Sequence, residues 1–175
     1  MKIVRIIEGT NSLLSIYNEE KEISEFEHLF DEWTNTETTY TFFKTHQNDL
    51  RNYTIDEAVS RTFDDACALE DKFYAIAEND NDQLQTLFKP LSNSQYRLSP
   101  FQRSKAYGVL RRSWLRVYAV RIESDKYIVT GGAIKLTQTM QDRPHTQEQL
   151  DRLTQMRDYL KENGFDDKDI ETVEV

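Results

Sequence analysis

Three side chains on a predicted β-hairpin could act together on a phosphate group. Arg116 and Tyr118 are two residues apart, so on a strand they project from the same face, and Lys135 ends the partner strand. A guanidinium binds phosphate oxygens in a bidentate manner, and a tyrosine ring can stack on an unpaired base. Fixed cations around a phosphodiester can stabilise the charge that develops during cleavage without a metal. The alternative is that Arg116 and Tyr118 make ordinary cross-strand contacts and that Lys135 is solvated.

The predicted hairpin occupies residues 111–139 and would position these groups. Residues 114–122 and 127–134 are rich in Val, Ile, Tyr and Trp, which suit strands, and the polar residues 123–126 form a break of turn length. Gly131-Gly132 interrupts the second run, which indicates a bulge or a close backbone approach. Alternation places Leu115, Val117 and Ala119 on one face, and the opposite face carries Arg116, Tyr118, Val120 and Ile122.

Positive charge is concentrated around this hairpin although the chain as a whole is acidic. The net charge is -9 overall, but it is -12 over residues 1–87, +8 over residues 88–145 and -5 over residues 146–175. A basic block of this kind favours a polyanion site, whereas the alternative is that the three blocks neutralise one another in the fold. If the block binds RNA, the candidate contacts are Lys105, Arg111, Arg112 and Arg121.

Other classes of protein receive little support from the sequence. The chain contains no G-x-G-x-x-G, P-loop, G-x-S-x-G, H-E-x-x-H or C-x-x-C pattern. Its one cysteine, Cys67, lies in a helical pattern, and we expect it to be a small, buried core residue. No apolar run approaches the ~20 residues that a membrane span needs, and no signal-peptide pattern is present. We therefore expect a cytoplasmic protein that uses no metal or cofactor and does not act at a membrane.

Helical periodicity appears on both sides of the basic block. Ser24 with Glu27 and Thr54 with Glu57 match the capping-box pattern, and a third match, Thr146 with Gln149, predicts where the last helix begins. The apolar stripes of the three predicted helices are Phe26, Leu29, Phe30 and Trp33, then Ile55, Val59, Thr62, Ala66, Leu69, Phe73 and Ile76, and finally Leu150, Leu153, Met156 and Leu160. On the first helix, the opposite face carries Glu25, Glu27, Asp31 and Glu32, which we expect to be solvated.

Within about residues 86–163, the order of these motifs resembles the RelE/ParE/HigB superfamily of bacterial toxins. The resemblance is carried by Leu115-Arg116-Val117-Tyr118, Tyr127-Ile128-Val129 with Gly131-Gly132-Ala133-Ile134-Lys135-Leu136-Thr137-Gln138, and a helix ending in Arg157-Asp158-Tyr159-Leu160. Many members of that family are metal-free ribonucleases that cut messenger RNA on the ribosome, and the ParE branch instead poisons gyrase. The resemblance implies that Arg116 stabilises the scissile phosphate, that Lys135 stabilises charge or transfers a proton, and that Tyr118 stacks on or orients a base.

The sequence thus predicts a single α+β domain covering residues 1–175. We expect an antiparallel sheet around the central hairpin, with helices packed on one face, and a RelE-like portion preceded by a helical N-terminal extension. The helix over 55–78 would be the main partner of the sheet. The function that this implies is a toxin-type endoribonuclease acting on RNA or at the ribosome, with a cognate antitoxin as protein partner. The alternative is a non-catalytic protein of the same fold that binds a protein or a nucleic acid.

Overall fold

The computed structural model describes residues 1–79, 83–92 and 97–173 and contains helices and strands in one α+β arrangement. The strands are β1 (Ile3–Arg5), β2 (Leu13–Asn18), β3 (Ile23–Ser24), β4 (Phe88–Pro90), β5 (Gln102–Tyr107), β6 (Leu115–Glu123), β7 (Lys126–Ile134) and β8 (Ile170–Glu171). The helices are α1 (Glu25–Thr34), α2 (Thr36–Thr45), α3 (Ile55–Glu78) and α4 (Pro144–Asn163). Short 3₁₀ turns occupy Gln47–Asp49, Leu84–Thr86, Met140–Asp142 and Asp167–Asp169.

The sheet is mixed, so the prediction of a purely antiparallel sheet is wrong. Its strand order is β4-β5-β6-β7-β2-β1-β8, and β3 pairs with β2 beside this path. The predicted hairpin is present as β6 and β7, and an antiparallel ladder joins β4, β5, β6 and β7. However, β2 lies parallel to β7, and β8 lies parallel to β1. Parallel neighbours need long crossover connections, and the chain between β2 and β7 supplies one that contains α1, α2 and α3.

Both faces of the sheet are covered, which corrects the prediction that helices pack on one face. The alternation predicted for β6 is confirmed, since Leu115, Val117 and Ala119 belong to one core cluster, whereas Tyr118 and Val120 belong to another. The first cluster contains the apolar residues of α1, α2 and α3. The second cluster contains Leu153, Met156 and Leu160 of α4. A central strand that is apolar on both sides requires cover on both sides.

The N-terminal helices form as their caps predict. Ser24 and Glu27 make a complete capping box at the start of α1, and the Thr54 hydroxyl accepts a bond from the Glu57 amide at the start of α3. The predicted seam of α3 is confirmed in its centre, because Leu69 and Phe73 are fully buried. The long helix therefore packs against the hairpin face that carries the first cluster.

The Gly131-Gly132 interruption is a bulge, as predicted. Tyr118 pairs with Gly131, whereas Ala119 pairs with Val129, so one extra residue of β7 lies between these pairs. Gly131 has a φ of +154°. A Cβ at Gly132 would lie 2.5 Å from the carbonyl oxygen of Arg116, so the glycine allows the close approach of β6 and β7.

Three local predictions are wrong for identifiable reasons. Cys67 is exposed, because it shares a face of α3 with the exposed Phe63, four residues earlier, and lies off the buried seam of Ala66 and Leu69. Glu25 is buried, because Arg152 of α4 donates to its carboxylate at 2.7 Å. Thr146 does not cap the last helix, which begins two residues earlier at Pro144; its buried hydroxyl instead donates to the carbonyl of Met140.

Candidate nucleic-acid interface

Four cations line one cleft on the α4 side of the sheet. The cleft has a volume of about 440 Å³. Its lining residues, all within the described part of the chain, are Leu91, Ser92, Arg103, Lys105, Tyr107, Arg116, Tyr118, Lys135, Gln138, Met140, Gln141 and Leu150. None of these lining residues is acidic, although the chain carries a net charge of -9. We call this site the basic cleft.

Strands β5 and β6 place the cations of the basic cleft on one face. Arg103, Lys105 and Tyr107 alternate along β5, so all three side chains project from the same side. In the antiparallel pair, Lys105 is opposite Tyr118 and Tyr107 is opposite Arg116. From sequence alone, residues 101–108 could form either a loop or a strand. The structure shows that residues 102–107 form β5, and this strand brings Lys105 beside Arg116.

Arg116 is half-buried and held in a fixed orientation. Its Nη1 atom donates to the carbonyl oxygens of Ser113 at 2.7 Å and Leu115 at 2.8 Å. Its guanidinium carbon lies 4.1 Å from the centre of the Tyr107 ring. Burial lowers the pKa of Arg116 below its ordinary value, but a guanidinium remains charged at neutral pH. These contacts use only part of the N–H donors of the guanidinium, so it can still bind an anion.

Lys135 follows β7 directly and lies close enough to other cations to be affected by them. Its backbone amide donates to the carbonyl of Trp114 at 2.7 Å, and its ammonium donates to the carbonyl of Gln138 at 2.8 Å. Burial lowers the pKa of Lys135, and repulsion from Arg116 and Lys105 lowers it further. The structure therefore brings Lys105, Arg116 and Lys135 together, as a site for a polyanion requires.

Tyr118 lies at the floor of the basic cleft and is not placed as a base-stacking ring. Its side chain is only 1% exposed and belongs to the core cluster under α4. Burial raises the pKa of Tyr118 to about 12, so its hydroxyl is a poor proton donor to water at neutral pH. With no ring face open, it cannot stack on a base in this conformation. The exposed ring of the cleft is Tyr107, which sequence reasoning missed; reading residues 102–107 as a strand would have aligned it with Lys105.

Arg111 and Arg112 are exposed on the loop between β5 and β6. This loop is anchored by the buried carboxylate of Asp65 in α3, which accepts bonds from the amides of Val109 at 2.6 Å and Leu110 at 3.0 Å. Its other oxygen accepts a bond from the Ser113 hydroxyl. The anchoring explains how an exposed, cation-bearing loop keeps a defined conformation next to Arg116.

A second cleft of about 870 Å³ adjoins the basic cleft and shares Arg116 and Lys135 with it. Arg112 also lines it, together with Arg143. The carboxylate of Asp49 accepts two bonds from Arg143, at 2.9 and 2.7 Å, so this acid is already neutralised by a cation. Arg116 and Lys135 thus lie at the junction of two open clefts, which gives a bound chain a path past them.

Arg121 does not belong to this interface. It is only 8% exposed and pairs across the hairpin with Tyr127, whose ring lies in the core cluster beneath α1–α3. The structure therefore separates Arg121 from the other predicted RNA contacts, because its strand position turns it to the face opposite Arg116.

Comparison with known proteins adds no relative on which a function could be based. No protein-family model, curated protein or solved structure matches the chain with significance. In the described ranges 1–79, 83–92 and 97–173, no three His, Cys, Asp or Glu residues are grouped as metal ligands. None of the helices in those same ranges is long and apolar enough to cross a membrane.

Proposed function

We propose that the protein binds RNA in the basic cleft and cleaves it there without a metal, as a toxin-type endoribonuclease that resembles the RelE/ParE/HigB superfamily. The observation that carries the proposal is a cleft whose described lining residues include four cations and no carboxylate, in a chain whose net charge is -9. Clustered cations repel one another, and a bound polyanion relieves that repulsion while releasing its own counterions. The site is thus better suited to a phosphate chain than to a neutral ligand.

The arrangement of strands supports the same proposal. The lining residues of the basic cleft lie on β5, β6 and α4 and on the segments that follow β4 and β7. These elements fall within residues 86–163, where the motifs resemble the toxin family. The helices α1, α2 and α3 cover the opposite face, so the acidic N-terminal part of the chain leaves the basic cleft open.

The chemistry proposed for this site needs few protein groups. In metal-free cleavage, the 2′-oxygen of RNA attacks the adjacent phosphorus, and the bond from phosphorus to the 5′-oxygen breaks. The 2′-hydroxyl loses its proton to hydroxide from the solvent, and the leaving 5′-oxygen gains one. Arg116 would neutralise the charge that develops on the phosphoryl oxygens. Lys135, whose pKa is lowered, would stabilise that charge and donate a proton to the leaving oxygen.

A non-catalytic RNA-binding protein is the second candidate, and one observation favours it. Tyr118, the third predicted catalytic group, is buried with its hydroxyl outside the reach of substrate. Without it, the described lining residues provide cations but no ordinary general base. In that case the basic cleft would bind RNA without cutting it.

Cleavage and growth arrest distinguish the two candidates. Purified protein is incubated with end-labelled RNA in excess chelator, and with the same strand carrying 2′-deoxy sugars. The proposal expects the RNA to be cut and the deoxy strand to be bound intact, because it lacks the nucleophile. Induction in a bacterial host should arrest growth, and co-expression of a cognate antitoxin should relieve the arrest. Tight binding with neither cleavage nor arrest would contradict the ribonuclease and favour the binding protein.

A further inference from the structure

Tyr107 presents an exposed aromatic ring within the basic cleft. Its side chain is 41% exposed, whereas Tyr118, the other aromatic residue that lines the cleft, is 1% exposed. An exposed tyrosine on a strand end is not unusual by itself. The unusual feature of Tyr107 is its position among four cations. Neighbouring charges are better hydrated without an apolar ring beside them.

Cations hold the Tyr107 ring in place. The Arg116 guanidinium carbon lies 4.1 Å from the ring centre, and the Lys105 ammonium lies 5.6 Å from it. Tyr107 is also fixed by its backbone, because it is the last residue of β5 and is opposite Arg116 on β6. The ring is therefore presented in a defined orientation at the mouth of the cleft.

A fixed, exposed ring next to phosphate-binding cations matches the requirements of a nucleobase. Proteins that bind single strands combine a positive groove for the backbone with aromatic rings on which bases stack. Cations in contact with the ring also contribute to stacking platforms of this type. A base within a double helix is already stacked and paired, so its face is not available to Tyr107.

We propose that the ligand of the basic cleft is single-stranded RNA, with one unpaired base stacked on Tyr107 and the adjacent phosphate bound by Arg116 and Lys135. This inference rests on the proposed function, because it assumes that the cleft binds RNA. It adds the class of RNA and identifies the residue that selects it. Selectivity for the single strand comes from the ring, while the cations supply affinity for any RNA.

The test measures binding of 2′-O-methyl RNA, which lacks the attacking hydroxyl, to the parent and to three variants. Fluorescence anisotropy compares a single strand with a duplex of the same length. Tyr107→Ala should weaken single-strand binding about 5- to 150-fold, the range for loss of one stacked base. It should weaken duplex binding much less, because the carbonyls of Ser113 and Leu115 still hold Arg116. Tyr107→Phe should bind like the parent, because it keeps the ring. Tyr40→Ala is the matched control. Tyr40 is 42% exposed on α2, which packs on the sheet face opposite the basic cleft.

A second readout reports stacking itself. A single strand containing 2-aminopurine should be quenched on binding to the parent and to Tyr107→Phe, but not on binding to Tyr107→Ala. The dependence of binding on salt should keep the same slope in Tyr107→Ala, because the phosphate contacts remain. Unchanged single-strand affinity in Tyr107→Ala would overturn the inference while leaving RNA binding intact. Failure of the parent to bind any RNA would overturn both the inference and the proposed function.

Discussion

The guanidinium carbon of Arg116 lies 4.1 Å from the centre of the Tyr107 ring, across the β5–β6 pair. Together with the carbonyls of Ser113 and Leu115, this ring fixes the cation before any ligand arrives. A preorganised cation loses less conformational entropy on binding than a mobile surface arginine does. The contact therefore joins the two parts of the proposed interface, the phosphate-binding group and the base-stacking ring.

The loop that carries Arg111 and Arg112 should depend on Asp65. In Asp65→Ala, the part-buried amides of Val109 and Leu110 and the Ser113 hydroxyl lose their acceptor, which should cost about 2–4 kcal/mol of unfolding free energy. Asp65→Asn keeps one oxygen as an acceptor and should cost about 1 kcal/mol. Chemical denaturation measures both variants. Equal stability of Asp65→Ala and the parent would show that this carboxylate does not anchor the loop.

Helix α3 should contribute strongly to stability, because it packs on the sheet face that carries the first core cluster. Leu69 is fully buried, so Leu69→Ala should reduce the free energy of unfolding by about 2–5 kcal/mol. Phe63→Ala, on the same helix at a position that is 40% exposed, is the control and should change it by about 0.5 kcal/mol or less. Denaturant melts of the two variants should therefore differ clearly. If they coincide, α3 does not contribute to the core as described.

Cys67 should be labelled in the native protein, in contrast to the sequence-based expectation. The thiol is exposed, but partial burial and the neighbouring carboxylates of Glu70 and Asp71 raise its pKa above 9.0. Because the thiolate is the nucleophile, labelling by iodoacetamide should be complete but slower than for a free thiol at neutral pH. The labelling rate should rise as the pH rises through the raised pKa. Protection of Cys67 until the protein unfolds would contradict its exposed position.

RNA affinity should depend on the protonation of Lys135. Its pKa in the free protein is below 10.5, because of burial and repulsion by Arg116 and Lys105. The charged ammonium is the form that binds phosphate, so affinity should be full below that pKa and should fall as the pH rises through it. Loss of one charge-assisted contact weakens binding by about 10- to 100-fold. The measurement is a pH titration of binding to a 2′-O-methyl strand.

Lys135→Arg provides the control for this titration, since arginine stays charged throughout the range. Its affinity should therefore remain level where that of the parent falls. Parallel curves for the two proteins would assign the pH dependence to another group.

Much of the local structure could be predicted from the sequence because it depends on neighbouring residues. The Ser24 capping box, the Leu69–Phe73 seam and the β6–β7 hairpin with its Gly131 bulge all follow from spacing and residue type. The parallel pairing of β2 with β7 could not be predicted in this way. It depends on how the α1–α3 segment returns the chain to the sheet, and short strands such as β8 carry little pattern of their own.

The candidate site could be predicted only in part for the same reason. The sequence identified Arg116, Lys135 and Lys105, because charged residues within or next to a predicted strand can be recognised from residue type alone. It placed the ring at Tyr118, because alternation gives the face of a residue but not its depth. Tyr118 lies under α4, whereas Tyr107 lies beyond its cover. Cover by a distant helix is a property of the fold and cannot be read from the spacing within one strand.

The central claim is that the basic cleft binds RNA, and the double change Arg116→Ala with Lys135→Ala tests it most directly. The measurement is the affinity for a 2′-O-methyl single strand over a series of salt concentrations. Lys44→Ala with Lys161→Ala is the matched control, because it removes the same charge from exposed positions on α2 and α4. Circular dichroism and thermal melts verify that each protein is folded.

The parent and the control should bind the strand more tightly at low salt. The Arg116/Lys135 variant should lose about 100-fold or more in affinity, since two charge-assisted contacts are removed, and its salt dependence should become shallower. The same affinity and the same salt slope in all three folded proteins would contradict the assignment of RNA binding to the basic cleft.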